Sequence, residues 1–293
     1  MRLRLRDSEW DLHPGRPVLM GVLNAAPDSF SDPGARKLPE LIARGQEMVA
    51  QGAALIDVGG ESGRTDRQAV PEEEEIARVT GLIAALAGRG LAISVDTWRA
   101  GVARAALDAG AVMVNDVSGL SDPAVAELCA DTGAALVVTH TRLPPKRKGF
   151  PIEGEVVQDV RSLLEERAAE ARRLGVSEEQ LVLDPGIDLA KTPAQSVEVL
   201  RGLPELGSLG RPLLAAVSRK DVVGALTGRS PRDRLAGTLA AVGAAADGGA
   251  SIVRVHDVPE TADYLRVHAA LRGQDVVEDD LRLDPGLKRE PAA

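Results

Sequence analysis

The chain has 293 residues, 44% of them hydrophobic but only 2% aromatic, so it is large enough for one α/β barrel or two ordinary domains with an aliphatic core. A net charge of −9 argues against nucleic-acid and anionic-membrane binding, though a local basic pocket for a small anion is invisible in that sum. The single cysteine, Cys129, excludes a disulfide framework and a CxxC metal site and reads as a core thiol; no run approaches a membrane span, so a cytoplasmic protein is expected.

Residues 1–17 lack the apolar core of a signal peptide and read as an N-terminal extension or plug. Eight apolar runs then follow in order, each ending on polar residues and each succeeded by a helical pattern. They are VLMGVLN (18–24), ALIDVGG (54–60), LAISVDT (91–97), VMVNDV (112–117), ALVVTH (135–140), LVLDPG (181–186), LLAAVS (213–218) and SIVRVHD (251–257). Continuous Val/Ile/Leu runs indicate strands buried on both faces, as in a parallel sheet. The intervening helices are expected over 38–53, from Pro71 with its four following glutamates, and over 100–109, 122–131, 155–174, 192–206, 231–247 and 259–271. Eight such units predict a single (β/α)8 TIM barrel over 18–273, with an exposed tail over 274–293. A doubly wound sheet competes, but no GxGxxG opens the first helix.

In a barrel the strand C-termini meet at one face, so Asn24, Asp57, Asp96, Asn115, His140, Asp184, Lys220, Arg254 and His256 should converge. Any one of them has a bland reading as a turn or helix cap; nine around one ring point to a site. Asp96, Asn115 and Asp184 suit a flat heterocycle with several N–H donors, whereas Arg64, Arg254 and His256 suit an anion. Asn24 suits a magnesium-bound oxygen, without the carboxylate cage of a tightly held ion. His140 is either a structural strand-end histidine or a catalytic one, and His13 and His268 are read as surface residues.

Across nearly the whole chain these elements resemble the dihydropteroate synthase family: Asn24 to Asp32 (NAAPDSFSD), DVGGES with Arg64, SVDT, NDVSG, THT, LDPGI with Lys191, SRK and RVHDV. The resemblance implies a barrel, usually dimeric, that joins 6-hydroxymethyl-7,8-dihydropterin diphosphate to p-aminobenzoate in folate biosynthesis. It implies that Asp96, Asn115, Asp184 and Lys220 line a pterin pocket. It also implies that Asn24, Arg64, Arg254 and His256 hold the diphosphate with Mg2+ at Asn24, and that Arg64, Lys220, Arg254 and His256 act in catalysis. Loops 28–32 and 62–67 would close over the site.

The departures cluster on the acceptor side, to which the resemblance assigns Phe30, Gly63, Thr65 and Asp221. Gly63 and Thr65 replace the family's usual Thr and Pro, and Asp221 replaces a serine that helps hold the aminobenzoate carboxylate. Softer departures lie elsewhere: Thr139 and Asp188-Leu189-Ala190 replace a usual Met and Gly-Phe-Gly and alter the apolar wall around the pterin, while Ala26 replaces a Thr and Pro33 a Gly. An aspartate at 221 is expected to repel a carboxylate and weaken sulfonamide inhibition, unless it is a helix cap turned away. SVDTWRA, His140-Thr141 and KDVVG also resemble a divergent actinobacterial branch of the family. A transferase with another amine acceptor, or a pterin-binding paralogue without synthase activity, is therefore the alternative.

Overall fold

The computed structural model describes residues 1–25, 38–61 and 69–287. Phe30, Gly63, Arg64 and Thr65, with the loops 28–32 and 62–67, lie outside the described residues. The chain opens with an antiparallel hairpin, β1 (Arg2–Leu5) and β2 (Ser8–Asp11). Next come β3 (Val18–Asn24), α1 (Leu38–Ala50), β4 (Ala53–Gly59), α2 (Glu72–Ala87), β5 (Ile93–Asp96) and α3 (Ala100–Asp108). The middle of the chain forms β6 (Met113–Asp116), α4 (Pro123–Thr132), β7 (Ala135–Thr139), α5 (Val156–Arg173) and β8 (Leu181–Asp184). It continues through α6 (Pro193–Arg201), α7 (Leu203–Leu206), β9 (Leu214–Ala216), α8 (Asp221–Thr227), α9 (Leu235–Asp247), β10 (Ile252–Val255) and α10 (Val258–Leu271).

All eight apolar runs become strands of one parallel sheet, ordered β8-β7-β6-β5-β4-β3-β10-β9. A bridge between Leu183 and Leu213, with the Leu183 N–H on Pro212 O at 3.0 Å, brings β8 to β9 and closes the barrel. Strand side chains alternate between the two faces, and the core divides accordingly. Met20, Leu55, Met113, Val137, Val182, Leu214 and Ile252 point inward and pack with Leu3, Leu5 and Leu12 around the hairpin, which corks the end away from the strand C-termini. Val58, Val95, Val114, Leu136, Val138, Leu183 and Val253 point outward into the layer beneath the helices.

Local signals set the helix ends. Asp122 caps α4 by accepting the Ala124 N–H, Pro123 occupies its first turn, and Gly133 ends it in the left-handed conformation. Thr192 and Gln195 form a reciprocal capping box on α6. Two expected helices are shorter than the sequence pattern implied. The 192–206 segment breaks at Gly202, where a Cβ would lie 2.7 Å from Val157 of α5, and 231–233 form a separate 3-10 turn before α9. Of the four glutamates opening α2, Glu75 is not a solvated dipole partner. It is buried, with Thr97 Oγ1 at 3.0 Å and Arg99 Nη1 at 2.7 Å. His268, expected at the surface, is largely covered, stacked on Tyr264 and 3.3 Å from Asp247. Cys129 is a buried thiol, as expected.

Candidate active site

The alternation that fills the barrel with aliphatic side chains also decides which strand-end groups reach its mouth. On β3 the inward positions run Met20, Val22, Asn24; on β4, Leu55, Asp57; on β5, Ser94, Asp96; on β6, Met113, Asn115; on β8, Val182, Asp184; on β10, Ile252, Arg254. Each of these six rows therefore carries a polar group at or near its C-terminal end. Asp96 and Asn115 are also register partners on neighbouring strands.

Arg254 is the hub of this ring. Its Nε donates to Asp57 Oδ2 and its Nη2 to Asp96 Oδ2, each at 2.6 Å. Asn115 Nδ2 donates to the same Asp57 oxygen at 3.0 Å. A carboxylate only accepts, so this contact fixes the amide orientation and turns Asn115 Oδ1 away as a free acceptor. Oδ1 of Asn115 and Oδ1 of Asp57 are buried and have no hydrogen-bond partner among the described residues. Asp184 gives Oδ1 to the Gly186 N–H at 2.7 Å. Asp96 and Asp184 thus each keep an oxygen outside these bonds. Asp57 was legible as a strand-end carboxylate, but its role as the fully buried anchor of Arg254 and Asn115 needed the register.

Electrostatics follow from crowding. Burial pushes the Asp96 carboxyl up to about 7; Arg254 pulls against that rise while Asp57 and Glu75 add to it. Burial also raises Asp184, opposed by the Gly186 N–H and by Lys220 and Lys191. Burial opposes the charge on Arg254, yet Asp57 and Asp96 outweigh it and hold the guanidinium protonated. Lys220, at the start of α8, is a cation that, like Arg254, acts on both Asp96 and Asp184.

Asn24 and His256 stand to one side of that ring. With Arg219, Asp257, Arg44, Met48 and other residues of α1 and the first turn of α10, they line a cavity of about 390 Å3. Ser218 Oγ accepts the His256 backbone N–H at 3.1 Å and lies 3.0 Å from Nδ1. The hydroxyl is then placed to donate to Nδ1, which puts the ring proton on Nε2. Burial, with Arg254 and Arg219 reinforcing it, lowers the His256 pKa to about 3. It is a neutral donor, not a cation. Arg219, with φ +58°, forks onto Asp257 instead of entering the ring.

His140 has the opposite parity and leaves the mouth altogether. It is fully buried on the outer face, with Nε2 2.9 Å from Asp159 Oδ2 of α5 and Nδ1 2.7 Å from Lys191 Nζ. Asp116, also outward, ties down its own loop through Ser118 and Leu120. Asp221 is turned away: its side chain is 84% exposed and 3.1 Å from Arg234 Nη1. The carboxylate that meets α8 is Asp188, whose oxygens lie 3.1 and 3.2 Å from the Val222 nitrogen. In the sequence this position stands out only as a change of loop composition.

Among the described residues no group of three or more His, Cys, Asp or Glu converges as a metal cage. Asn24 offers one hard oxygen, 3.6 Å from where a Cβ on Gly59 would stand. That fits an ion whose other ligands are waters and phosphate oxygens, the usual habit of Mg2+.

The Pterin binding enzyme family matches residues 20–256. The dihydropteroate synthase of Synechocystis sp. is 42% identical over 261 residues, covering 87% of this chain and 90% of that protein. The chain belongs to the dihydropteroate synthase family. It is a transferase of that type by the extent of these matches. The Xanthomonas albilineans dihydropteroate synthase solved with 4-aminobenzoic acid superposes with a TM-score of 0.85 at 40% identity, covering 92% of this chain and 98% of that one. In complex with 7,8-dihydropteroate it gives 0.83, at the same identity. A probable bifunctional folylpolyglutamate synthase/dihydropteroate synthase of Haloferax volcanii is 40% identical over 90% of this chain, which spans only 32% of that longer protein. Eight parallel strands and the family match together bear out the barrel and the family read from sequence.

Proposed function

We propose that the chain condenses 6-hydroxymethyl-7,8-dihydropterin diphosphate with p-aminobenzoate, releasing diphosphate. The observation that carries this reading is the inward ring: Asn115 Oδ1 and the spare oxygens of Asp96 and Asp184, arranged around Arg254. A pterin edge carries several N–H donors, so three acceptors and the Lys220 ammonium complement it. The reaction breaks the C–O bond between the pterin methylene and the diphosphate, whose oxygen keeps the electron pair. The amine nitrogen then forms the new C–N bond and loses a proton.

The protein's part is to bind and to balance charge. Arg254 is locked by two carboxylates, so it meets the departing diphosphate without reorganising. His256 donates from Nε2, and Arg64, outside the described residues, is assigned to the same anion. Mg2+ held at Asn24 would supply further neutralisation of the leaving group. Depth in the barrel keeps water from the developing methylene cation.

The acceptor side supports a second reading, a different amine or none. Asp188 and Asp221 flank the first turn of α8, while Gly63, Thr65 and Phe30, which the resemblance assigns to the same side, lie outside the described residues. Asp221 faces solvent and Arg234, so its repulsion of a carboxylate is screened and a poor fit for p-aminobenzoate rests chiefly on Asp188. Diphosphate release by the purified protein, with and without p-aminobenzoate, decides between them. Release that depends on p-aminobenzoate and yields dihydropteroate supports the synthase; pterin binding with no such release supports the second reading.

We further assign the working protein to the cytoplasm as a homodimer whose barrel spans 18–273 and whose tail spans 274–293. No described helix is long and apolar enough to cross a membrane. Exposed Val267 and Leu271 on α10 offer apolar surface for self-contact, which light scattering would test.

A further inference from the structure

Outside the ring lies a buried cation that the chemistry above does not use. Lys191 is only 2% exposed, at the end of the loop from β8 to α6. Its Nζ is 2.7 Å from His140 Nδ1, 2.9 Å from Gly186 O and 3.2 Å from Leu189 O. An ammonium has three N–H donors, and these three acceptors meet them, with His140 O a more distant fourth at 3.5 Å. Burial lowers the His140 pKa to about 4 and Lys191 reinforces that shift, so the ring is neutral. Its Nδ1 accepts from Lys191 and its Nε2–H donates to Asp159. Arg142 closes the chain by forking onto the same carboxylate, with Nη2 2.6 Å from Oδ1.

The loop gripped by Lys191 is unusual. Gly186, Asp188 and Ala190 all have positive φ, at +67°, +66° and +54°. A Cβ on Gly186 would fall 2.0 Å from His140 O, so only glycine fits there. Asp188 and Ala190 are held in a conformation that side chains disfavour, which persists only where surrounding bonds over-determine it. The Gly186 N–H aims Asp184, while Asp188 holds the amide of Val222, two residues beyond Lys220. One loop therefore sets both the carboxylate and the ammonium assigned to the heterocycle.

We propose that Lys191 is a positioning residue for the pterin pocket: clamped between His140 and the carbonyls of Gly186 and Leu189, it holds the 184–191 loop in the shape that aims Asp184 into the barrel. The inference rests on the reading of the inward ring as a pterin site. A neutral amine has two N–H donors for three acceptors, so deprotonation loosens the clamp. Burial lowers the Lys191 pKa to about 7; Asp184, Asp159 and Asp188 oppose that shift and Lys220 adds to it. Pterin affinity therefore falls as pH rises through about 7. Removing the Asp159 charge moves that fall to lower pH.

The experiment is calorimetric titration of 6-hydroxymethyl-7,8-dihydropterin diphosphate into the full chain from pH 5.5 to 9. Wild type, Lys191→Met and Asp159→Asn are compared, with kcat and KM wherever turnover occurs. Lys191→Met is expected to raise Kd about 10- to 50-fold at pH 6.5, to change kcat less than threefold, and to lack the alkaline fall. Asp159→Asn, on the half-exposed surface of α5, is expected to fold and to shift the fall downward by about half a pH unit. An unchanged Kd, or an alkaline fall that survives in Lys191→Met, overturns the proposal. Should Lys191→Met not fold, an unmoved fall in Asp159→Asn overturns it equally. Wild-type protein that binds no pterin at any pH overturns the pterin reading and this inference together, whereas wild-type binding with indifferent variants overturns this inference alone.

Discussion

The side proposed for the heterocycle and the side proposed for the acceptor are built differently in this barrel. Asp57, Asp96, Asn115, Asp184 and Arg254 stand on strand ends, locked by register and by bonds of 2.6 to 3.0 Å. The proposed acceptor side is carried by loops and by the start of a short helix, where Asp221 departs from the family pattern. Groups on strands are placed by the whole sheet and move only if the fold does. Groups on loops change one at a time, so specificity for the second substrate can drift while the grip on the first is kept.

If that contrast is real, damage on the two sides should separate. The largest effect is expected from Asp57→Ala, which leaves Arg254 half-paired in the barrel. It should cost roughly 3 to 5 kcal/mol of stability, visible as a lower Tm, and abolish pterin binding as well. Asp184→Asn removes one charged acceptor and should weaken pterin binding about 10- to 100-fold by calorimetry, with the acceptor KM unchanged. An equal rise in both constants would show that the two sides are not separate.

The pH dependence sharpens the same point. Asp96 titrates near 7 because burial raises it against Arg254. Protonation turns the oxygen not bonded to Arg254 from an acceptor into a donor that opposes a ligand N–H, so kcat/KM for the pterin diphosphate should fall as pH drops below about 7. Asp96→Asn should erase that acid limb while keeping whatever alkaline limb Lys191 supplies. The smallest effect is expected from Asp221→Ser. An exposed carboxylate already paired with Arg234 acts through water, so the p-aminobenzoate KM should improve only about two- to fivefold. A change beyond tenfold would mean that Asp221 turns inward when the acceptor binds.

What was legible in sequence follows the same division. Strand-end polar residues are visible because a buried Val/Ile/Leu run in a parallel sheet carries Asn, Asp or Arg only where a partner or a ligand offsets their desolvation. The period-two alternation also separates Asn115 from Asp116 once the register is known. The same alternation sends His140 outward once Ala135 and Val137 are known to point inward, but the continuous apolar run ALVVTH does not show from sequence which parity faces the barrel. The clamp at Lys191 was equally hidden, because His140, Asp159 and Gly186 are distant in sequence and meet only through the packing of α5 against β7. Residues 1–17 were legible only as an extension or plug: RLRL alternates, but nothing in it says that Leu3 and Leu5 are the side chains that fill the barrel end.

That hairpin has a consequence for traffic. With Leu3, Leu5 and Leu12 filling one end, the barrel of the described residues is closed below and opens toward the strand C-termini. Whatever lies against Asp96, Asn115 and Asp184 sits below anything held by the loops around α8. On the proposed reaction the deeper guest enters first, and the new C–N bond makes it leave through the same mouth as part of one longer molecule. An order of entry is thus written into the bottom of the molecule, far from any group that does chemistry.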